Sequence, residues 1–473
     1  MLKSLALASA MTLAVLSPAV CADDLTPAEA KAREIYQNVV EIRSARGQGK
    51  VPEVVDYLVS EFTAAGFAED DIAVTEYDSE GETVEGLMVW LRAEDPVAKP
   101  IVLLAHMDVV DALEKDWVRK PFQLVEEEGY FFGRGTSDNK YGLTNLTQTF
   151  LRLKQEGYVP SRDLVLVFSG DEETSMTSTM AQAKWVADNI DPAFVLNSDA
   201  GGLTLNEEGA PVDFMVQGAE KTYATFEITV KNPGGHSSRP RADNAIYELA
   251  DALKAIEGYK FPVNESKLTR SFLGTAGRKR LDRLGWAMRT FSEDPTNEEA
   301  IELLRKDPST VGTIGTTCIA TMLRAGHAEN ALPQSATATV NCRIFPGEGV
   351  ELTQSRLEEV IANEDVQFEI IGDVTETPES GMREDVLAAL SKSLEARGFD
   401  EVEIVPYMSS GGTDGMHYRG YGYTTLGIGG SGAKPNDTFA HGLNERKLVD
   451  QFYGGLDHWM IILKDLSGDA AQD

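Results

Sequence analysis

The chain has 473 residues, more than one small hydrophobic core accounts for and an ordinary length for a two-domain protein. With 42% hydrophobic and 25% charged residues, it is excluded from the collagen, coiled-coil and wholly disordered classes. The 43 Lys+Arg against 76 Asp+Glu leave a formal charge of −33, a field that repels nucleic acid and anionic membrane and argues against both as partners.

The first element reads as a targeting segment. Lys3 is the lone charge of the first 22 residues, Leu5–Leu16 is apolar, and Ala19-Val20-Cys21-Ala22 precedes Asp23-Asp24. A basic start, a short apolar stretch and a small-residue exit predict a secretory signal peptide over 1–22, hence a secreted, periplasmic protein. The apolar run falls well short of the roughly 20 residues of a membrane span, and nothing later reads as one.

Thr26-Pro27-Ala28-Glu29 is a capping box with proline at the first helical position, followed by the stripe Ile35, Val39, Ile42. A second helix is predicted from Pro52 to Gly66. Ile101–Ala105 is a buried-strand run. Leu143, Leu146, Phe150 and Leu153 form a helical stripe closed by Gly157, and the strands Leu164–Phe168 and Ala193–Leu196 flank a helical stretch over 177–190. Continuous apolar strands interleaved with helices predict an α/β sheet covered on both faces.

The pattern changes near residue 218. Ala224, Phe226, Ile228 and Val230 alternate with Thr225, Glu227 and Thr229, a half-exposed strand. The turn Asn232-Pro233-Gly234-Gly235, a helix with Ile246, Leu249 and Leu253, and strands over 314–323 and 336–345 follow. From about 373 the α/β character returns, with a helix Val386–Arg397, a strand Glu403–Val405 and a final helix from Glu445. The reading is one mixed-sheet α/β domain, 23–217 and 373–473, interrupted by a smaller two-layer α+β domain, 218–372. Within the latter, 264–310 is rich in charge and helix formers and finds no seat.

Loss of 1–22 removes Cys21 and leaves Cys318 and Cys342. Alternation puts Cys342 on the apolar face with Ala336, Ala338, Val340 and Ile344, and Cys318 with Ile314, Ala320 and Met322. Both cysteines are equidistant from Asn330, so a hairpin centred there sets them opposite each other. An oxidising compartment permits a disulfide; packed thiols are the alternative.

In open α/β sheets, sites form beyond the carboxyl ends of strands. His106 and Asp108 follow the strand ending at Ala105; Asp171, Glu172 and Glu173 follow Phe168-Ser169-Gly170; Asp199 ends the next strand. Asp138 lies in the glycine-punctuated stretch Gly133–Gly142, and His441 in Ala440-His441-Gly442-Leu443-Asn444-Glu445. Singly, each has a bland reading: Asp138 as a helix cap, Asp199 as a turn residue, Glu172-Glu173 as a solvated acidic turn. Jointly, carboxylates and imidazoles converging in one cleft call for a divalent cation. Imidazole and carboxylate without thiolate suit two Zn²⁺, with Co²⁺ or Mn²⁺ as substitutes.

These ordered motifs resemble the co-catalytic dinuclear zinc family that includes aminoacylase, carboxypeptidase S, the glutamate-releasing bacterial carboxypeptidase and succinyl-diaminopimelate desuccinylase. The resemblance implies that His106 and Asp199 bind one metal, that Glu173 and His441 bind the other, and that Asp138 bridges them. It implies that Asp108 hydrogen-bonds the far nitrogen of His106, that Glu172 is general base and acid, and that a cis peptide joins Asp138 to Asn139. Gly234-Gly235-His236-Ser237-Ser238 resembles the family's lid motif, whose histidine stabilises the oxyanion in a partner subunit, so a homodimer through the lid is implied. Asn330, Arg343, Gly412 and Thr413 resemble residues that bind the substrate. Many members of that family have proline where this chain has Asp111, and Asp111 is expected to alter the site mouth or to add a carboxylate near basic substrates. The implied activity is that of an exopeptidase on short peptides; the alternatives are an N-acyl amino acid amidohydrolase and a non-catalytic metal- or peptide-binding protein.

Overall fold

The computed structural model describes residues 25–468; the signal peptide read over 1–22 lies outside them. Among the described residues a ten-stranded mixed sheet organises the larger unit. Its centre is the parallel set Leu164–Ser169, Ile101–His106, Phe194–Asn197 and Thr425–Gly427. The antiparallel pair Ile72–Ser79 and Glu82–Leu91 extends one side, and Pro211–Glu220 with Glu403–Ser409 builds the other.

The apolar strand runs explain the layers. Ile101, Leu103 and Ala105 pack beneath helices contributing Leu143, Leu146, Phe150, Leu390 and Ile462. Val102 and Leu104, pointing the opposite way, pack with Ala183, Val186 and Tyr418. Both faces are therefore buried, as continuous hydrophobic strands require. The first helix begins at Pro27 under the predicted capping box, with Thr26 and Glu29 bonded reciprocally. The last helix begins at Val449, not at Glu445. Arg446–Leu448 pairs as a strand with Tyr130–Phe132, which takes Glu445 out of the helix and into a loop.

The chain crosses to the smaller unit at Lys221, between Pro211–Glu220 and Thr222–Lys231. A four-stranded antiparallel sheet, in the order Thr317–Ala325, Ser335–Ile344, Thr222–Lys231, Val366–Ile371, presents Phe226, Ile228, Val340 and Cys342 to the helices Ala245–Gly258 and Val350–Ile361. Cys318 faces Cys342 in the ladder and is joined to it by a disulfide. The expected apolar parity of the first of these strands fails from Ala320 on, where every residue to Ala325 is exposed. A bulge between Ala320 and Met322 shifts the register by one, and Ile319, Met322 and Leu323 stand 68%, 65% and 65% exposed on the sheet edge.

Residues 264–310 form the helices Lys267–Arg278, Arg283–Glu293 and Glu298–Lys306. Leu273, Ala287, Phe291 and Leu304 give them a small core that also takes in Ile314. The first helix packs on the strand Glu403–Ser409 of the larger unit, where Arg278 pairs with Glu403 at 2.7 Å and Lys279 with Asp213.

The disulfide closes a 24-residue separation, and loop-closure entropy makes that worth about 3 kcal/mol. Cys318→Ser is expected to lower the free energy of unfolding by about that much; an unchanged denaturant midpoint would refute the assignment.

Candidate metal centre

The parallel strands deliver their carboxyl ends to one cleft. His106, the last residue of Ile101–His106, is fully buried. Its Nε2 lies 3.0 Å from Asp138 Oδ1 and 3.6 Å from Asp199 Oδ1. Asp138 turns its other oxygen, Oδ2, to His441 Nε2 at 3.1 Å, and His441 meets Glu173 at 2.9 Å. Asp138 thus stands between two imidazoles. The groups His106–Asp138–Asp199 and Asp138–Glu173–His441 each bring three ligand atoms within 4.8 Å of one another, and they share that aspartate. Glu172 lies beside both, grouped with His106 and Glu173. The peptide between Asp138 and Asn139 is cis.

Crowding sets the electrostatics. Burial, reinforced by Asp138, pushes Asp199 up to about 8. Burial also lifts Glu172 well above the carboxylate range, with Asp199, Asp414 and Glu173 adding to the effect against the pull of His106. Hydrogen bonds that His441 donates to the Asp138 and Glu173 carboxylates hold its pKa up to about 10. Burial disfavours the charged form of His106, but Asp199, Asp108 and Asp138 outweigh it and raise its pKa well above the ordinary value. Buried carboxylates that retain their charge need compensating cations, and the oxygen–nitrogen donor set fits divalent metal ions.

Asp108 departs from expectation. The nearer acceptor for His106 Nδ1 is the Asp108 carbonyl, at 3.1 Å, with the carboxylate at 3.4 Å. A carbonyl only accepts, so Nδ1 carries hydrogen and Nε2 faces the carboxylates. The Asp108 carboxylate instead receives the backbone N–H groups of Glu172 and Glu173, at 3.1 and 3.0 Å. It therefore aims both glutamates as well as steadying His106. Asp171 braces the same loop by accepting from the N–H groups of Thr177 and Ser178 at 2.8 and 2.9 Å. Asp111 is held bidentately by Arg43 at 2.8 Å, so its carboxylate is engaged in an ion pair instead of being offered to a basic substrate.

A second cluster lies where the two units meet. Arg343 donates to the Ser410 carbonyl at 2.7 Å and lies over the Tyr223 ring, 4.5 Å from its centroid. Lys221, which the sequence reading missed, is buried and donates through Nζ to the Gly315 carbonyl at 2.7 Å. Burial and the neighbouring Arg343 push its pKa down to about 7. Arg343 therefore holds the loop Ser410–Thr413 at Ser410, and the Lys221 backbone N–H holds the residue before it, Ser409. Gly412 is exposed there, while the Thr413 hydroxyl is already committed: it donates to Glu220 at 2.6 Å and accepts from Asn197 Nδ2 at 2.9 Å. Thr413 shapes this loop rather than presenting a free hydroxyl. Glu220 is buried in an ion pair with Arg419. The adjacent charges Glu220-Lys221, set between apolar stretches just after the change of pattern near 218, were the available signal for this junction.

His236 and Asn330 form a separate pairing on the smaller unit. The ladder sets His236 opposite Ala331, Ser237 N–H donates to the Asn330 carbonyl at 3.0 Å, and both His236 and Asn330 are exposed. The imidazole is bonded to Ser238 at 2.8 Å.

Residues 102–465 match the sequence profile of peptidase family M20/M25/M40. The chain is 28% identical over 377 residues to the Homo sapiens N-fatty-acyl-amino acid synthase/hydrolase PM20D1, an overlap of 76% of this chain and 73% of that one. It is 28% identical over 338 residues to the probable carboxypeptidase S-like 2 of Dictyostelium discoideum, covering 68% and 63% respectively. Its fold is similar to that of the M20 metallo-carboxypeptidase Sso-CP2 from Sulfolobus solfataricus, with a TM-score of 0.69 at 18% identity over 92% of this chain and 98% of that one.

Lys221 carries a pH signature. Its pKa falls from 10.5 in the unfolded chain to about 7 in the fold, so the unfolded state holds more protons between those values. Its burial therefore costs stability below pH 7, and that cost vanishes as pH rises through the window. Lys221→Met is expected to raise the melting temperature more at pH 6.5 than at pH 9.5; an equal shift at both would overturn the assignment.

Proposed function

From membership in peptidase family M20/M25/M40, to which this chain belongs, we propose that it hydrolyses an amide bond whose amine side carries a free carboxylate. The observation that carries this reading is Arg343, partly exposed and donating to the Ser410 carbonyl at the Ser410–Thr413 loop. A partly exposed guanidinium beside this loop suits an anionic substrate terminus. The loop is tied to the metal centre through Asn197, which donates to Thr413 and accepts the Asp199 N–H at 2.9 Å.

The chain is a metallohydrolase. His106, Asp138 and Asp199 would hold one divalent ion, Asp138, Glu173 and His441 the other, and Zn²⁺ is the ion this donor set favours. When bound, such a pair supplies a polarised water and a Lewis acid for the scissile carbonyl. The remaining chemistry belongs to side chains. Glu172 takes a proton from the attacking water as the carbon–oxygen bond forms, then passes it to the nitrogen as the carbon–nitrogen bond breaks. Burial raises the Glu172 pKa above the ordinary carboxylate value, which makes it a stronger base. Asp108 holds it in place through its backbone N–H.

We read the substrate first as a short peptide cleaved at its C-terminal end. The likeness to PM20D1 supports a second reading, an N-acyl amino acid with a long acyl group. Both keep the carboxylate anchor and differ in what occupies the acyl side. We also read the mature protein as exported, on the strength of residues 1–22, and as a homodimer through the smaller unit. The exposed apolar edge Ile319, Met322 and Leu323 supports such pairing, and the exposed His236 is available to a second copy.

Glu172→Ala is expected to keep its metal content and lose about 10²- to 10⁴-fold in turnover, with chelation abolishing wild-type activity and Zn²⁺ restoring it. Turnover equal to wild type would remove Glu172 from the mechanism. A screen of dipeptides against N-acyl amino acids, with C-terminal amides as controls, separates the two substrate readings. Hydrolysis of the amides as fast as the free acids would sink the carboxylate anchor. Mixed His236→Ala and Glu172→Ala proteins are expected to regain activity on subunit exchange; no recovery after demonstrated exchange argues against a shared site.

A further inference from the structure

The loop bearing Asp138 and the loop bearing His441 hold each other by a reciprocal pair of side chains. Glu445, four residues after His441, is fully buried and reaches into the Asp138 loop. Its Oε1 accepts the backbone N–H groups of Ser137 and Asp138 at 2.7 and 3.0 Å. Arg134, four residues before Asp138, is 3% exposed and reaches back. Its Nη1 donates to Glu445 Oε2 at 2.6 Å and its Nη2 to the carbonyl of Gly442, beside His441, at 3.2 Å. The Gly133 N–H closes the joint on the Glu445 carbonyl at 3.1 Å.

The His441 loop needs such a fastening. Asn436, Phe439, His441 and Asn444 all adopt left-handed backbone, with φ of 55°, 53°, 61° and 56°. None is glycine, and such residues persist only where their surroundings over-determine them. His441 is also the most exposed of the metal-binding side chains, at 52%, so packing does little to fix it.

We propose that the Arg134–Glu445 clasp is a positioning device for one metal ion of the pair: it holds His441 in register with Asp138 and so sets the affinity of the Asp138–Glu173–His441 position. The inference rests on the metallohydrolase reading of the site. The His106–Asp138–Asp199 position depends on it less, because His106 and Asp199 are held by the central strands. Outer partners of this kind typically change metal affinity 10- to 100-fold.

The test strips the full chain with a chelator and titrates it with Zn²⁺ against a chromophoric competitor, with Co²⁺ absorption as a second readout. Glu445→Gln is expected to retain one tight ion and to bind the second about 10- to 100-fold more weakly, with an altered Co²⁺ spectrum only for the second equivalent. Arg134→Lys is expected to lose less, since its single ammonium keeps the contact with Glu445 but cannot also reach Gly442. Wild-type affinity for both ions in Glu445→Gln would overturn the clasp, and so would equal weakening of both. Should Glu445→Gln fail to fold, Arg134→Lys decides alone, and an unchanged second equivalent refutes the proposal. Wild-type protein that takes up no divalent ion would sink the metal reading itself, a different failure.

Discussion

The constraint on which this molecule turns is the crowding of acidic side chains in a cleft with little water. Asp138, Asp199, Glu172 and Glu173 are gathered there with the imidazoles of His106 and His441. Charges taken out of water cost several kcal/mol each unless they are paired well. The fold answers by anchoring His106 at a strand end, by tying the loops of the other groups with buried hydrogen bonds, and by leaving oxygen and nitrogen lone pairs aimed inward. Asp138 is the pivot, with one oxygen toward each imidazole. A cluster of this composition is unstable as a bare set of anions and stable around cations, which ties the fold to its chemistry.

Around that centre the supporting contacts are mostly buried and mostly to backbone. Asp108 receives two main-chain N–H groups of the glutamate loop. Asn197 joins a ligand-bearing strand end to Thr413, and Thr413 leans on Glu220 and through it on Arg419. Glu220 immediately precedes the residue at which the chain leaves for the smaller unit. The junction between units, the Ser410–Thr413 loop and Asp199 therefore form one connected polar network.

Much of this was legible in the chain itself. Ile101–Ala105 announces a strand buried on both faces, because no polar residue interrupts it, and His106 at its end is a ligand candidate by position alone. Cys318 and Cys342 face each other because a hairpin centred on Asn330 must pair residues equidistant from it. The limits are equally physical. A bulge adds one residue without a compositional mark, so the exposure of Met322 could not be read from alternation. Lys221 and Glu445 act through contacts with segments distant in sequence, and Glu445 looked like the start of a helix when it is the end of a loop. The role of the Asp108 carboxylate lies in which backbone groups the fold brings to it, and pattern does not encode that.

The three helices over 264–310 leave the smaller unit yet rest on the larger one, through Arg278 on Glu403 and Lys279 on Asp213. A unit joined only by its crossing strands has a single pivot and swings freely about it. Here a lateral strut spans the gap and gives the smaller unit a second seat on the larger one.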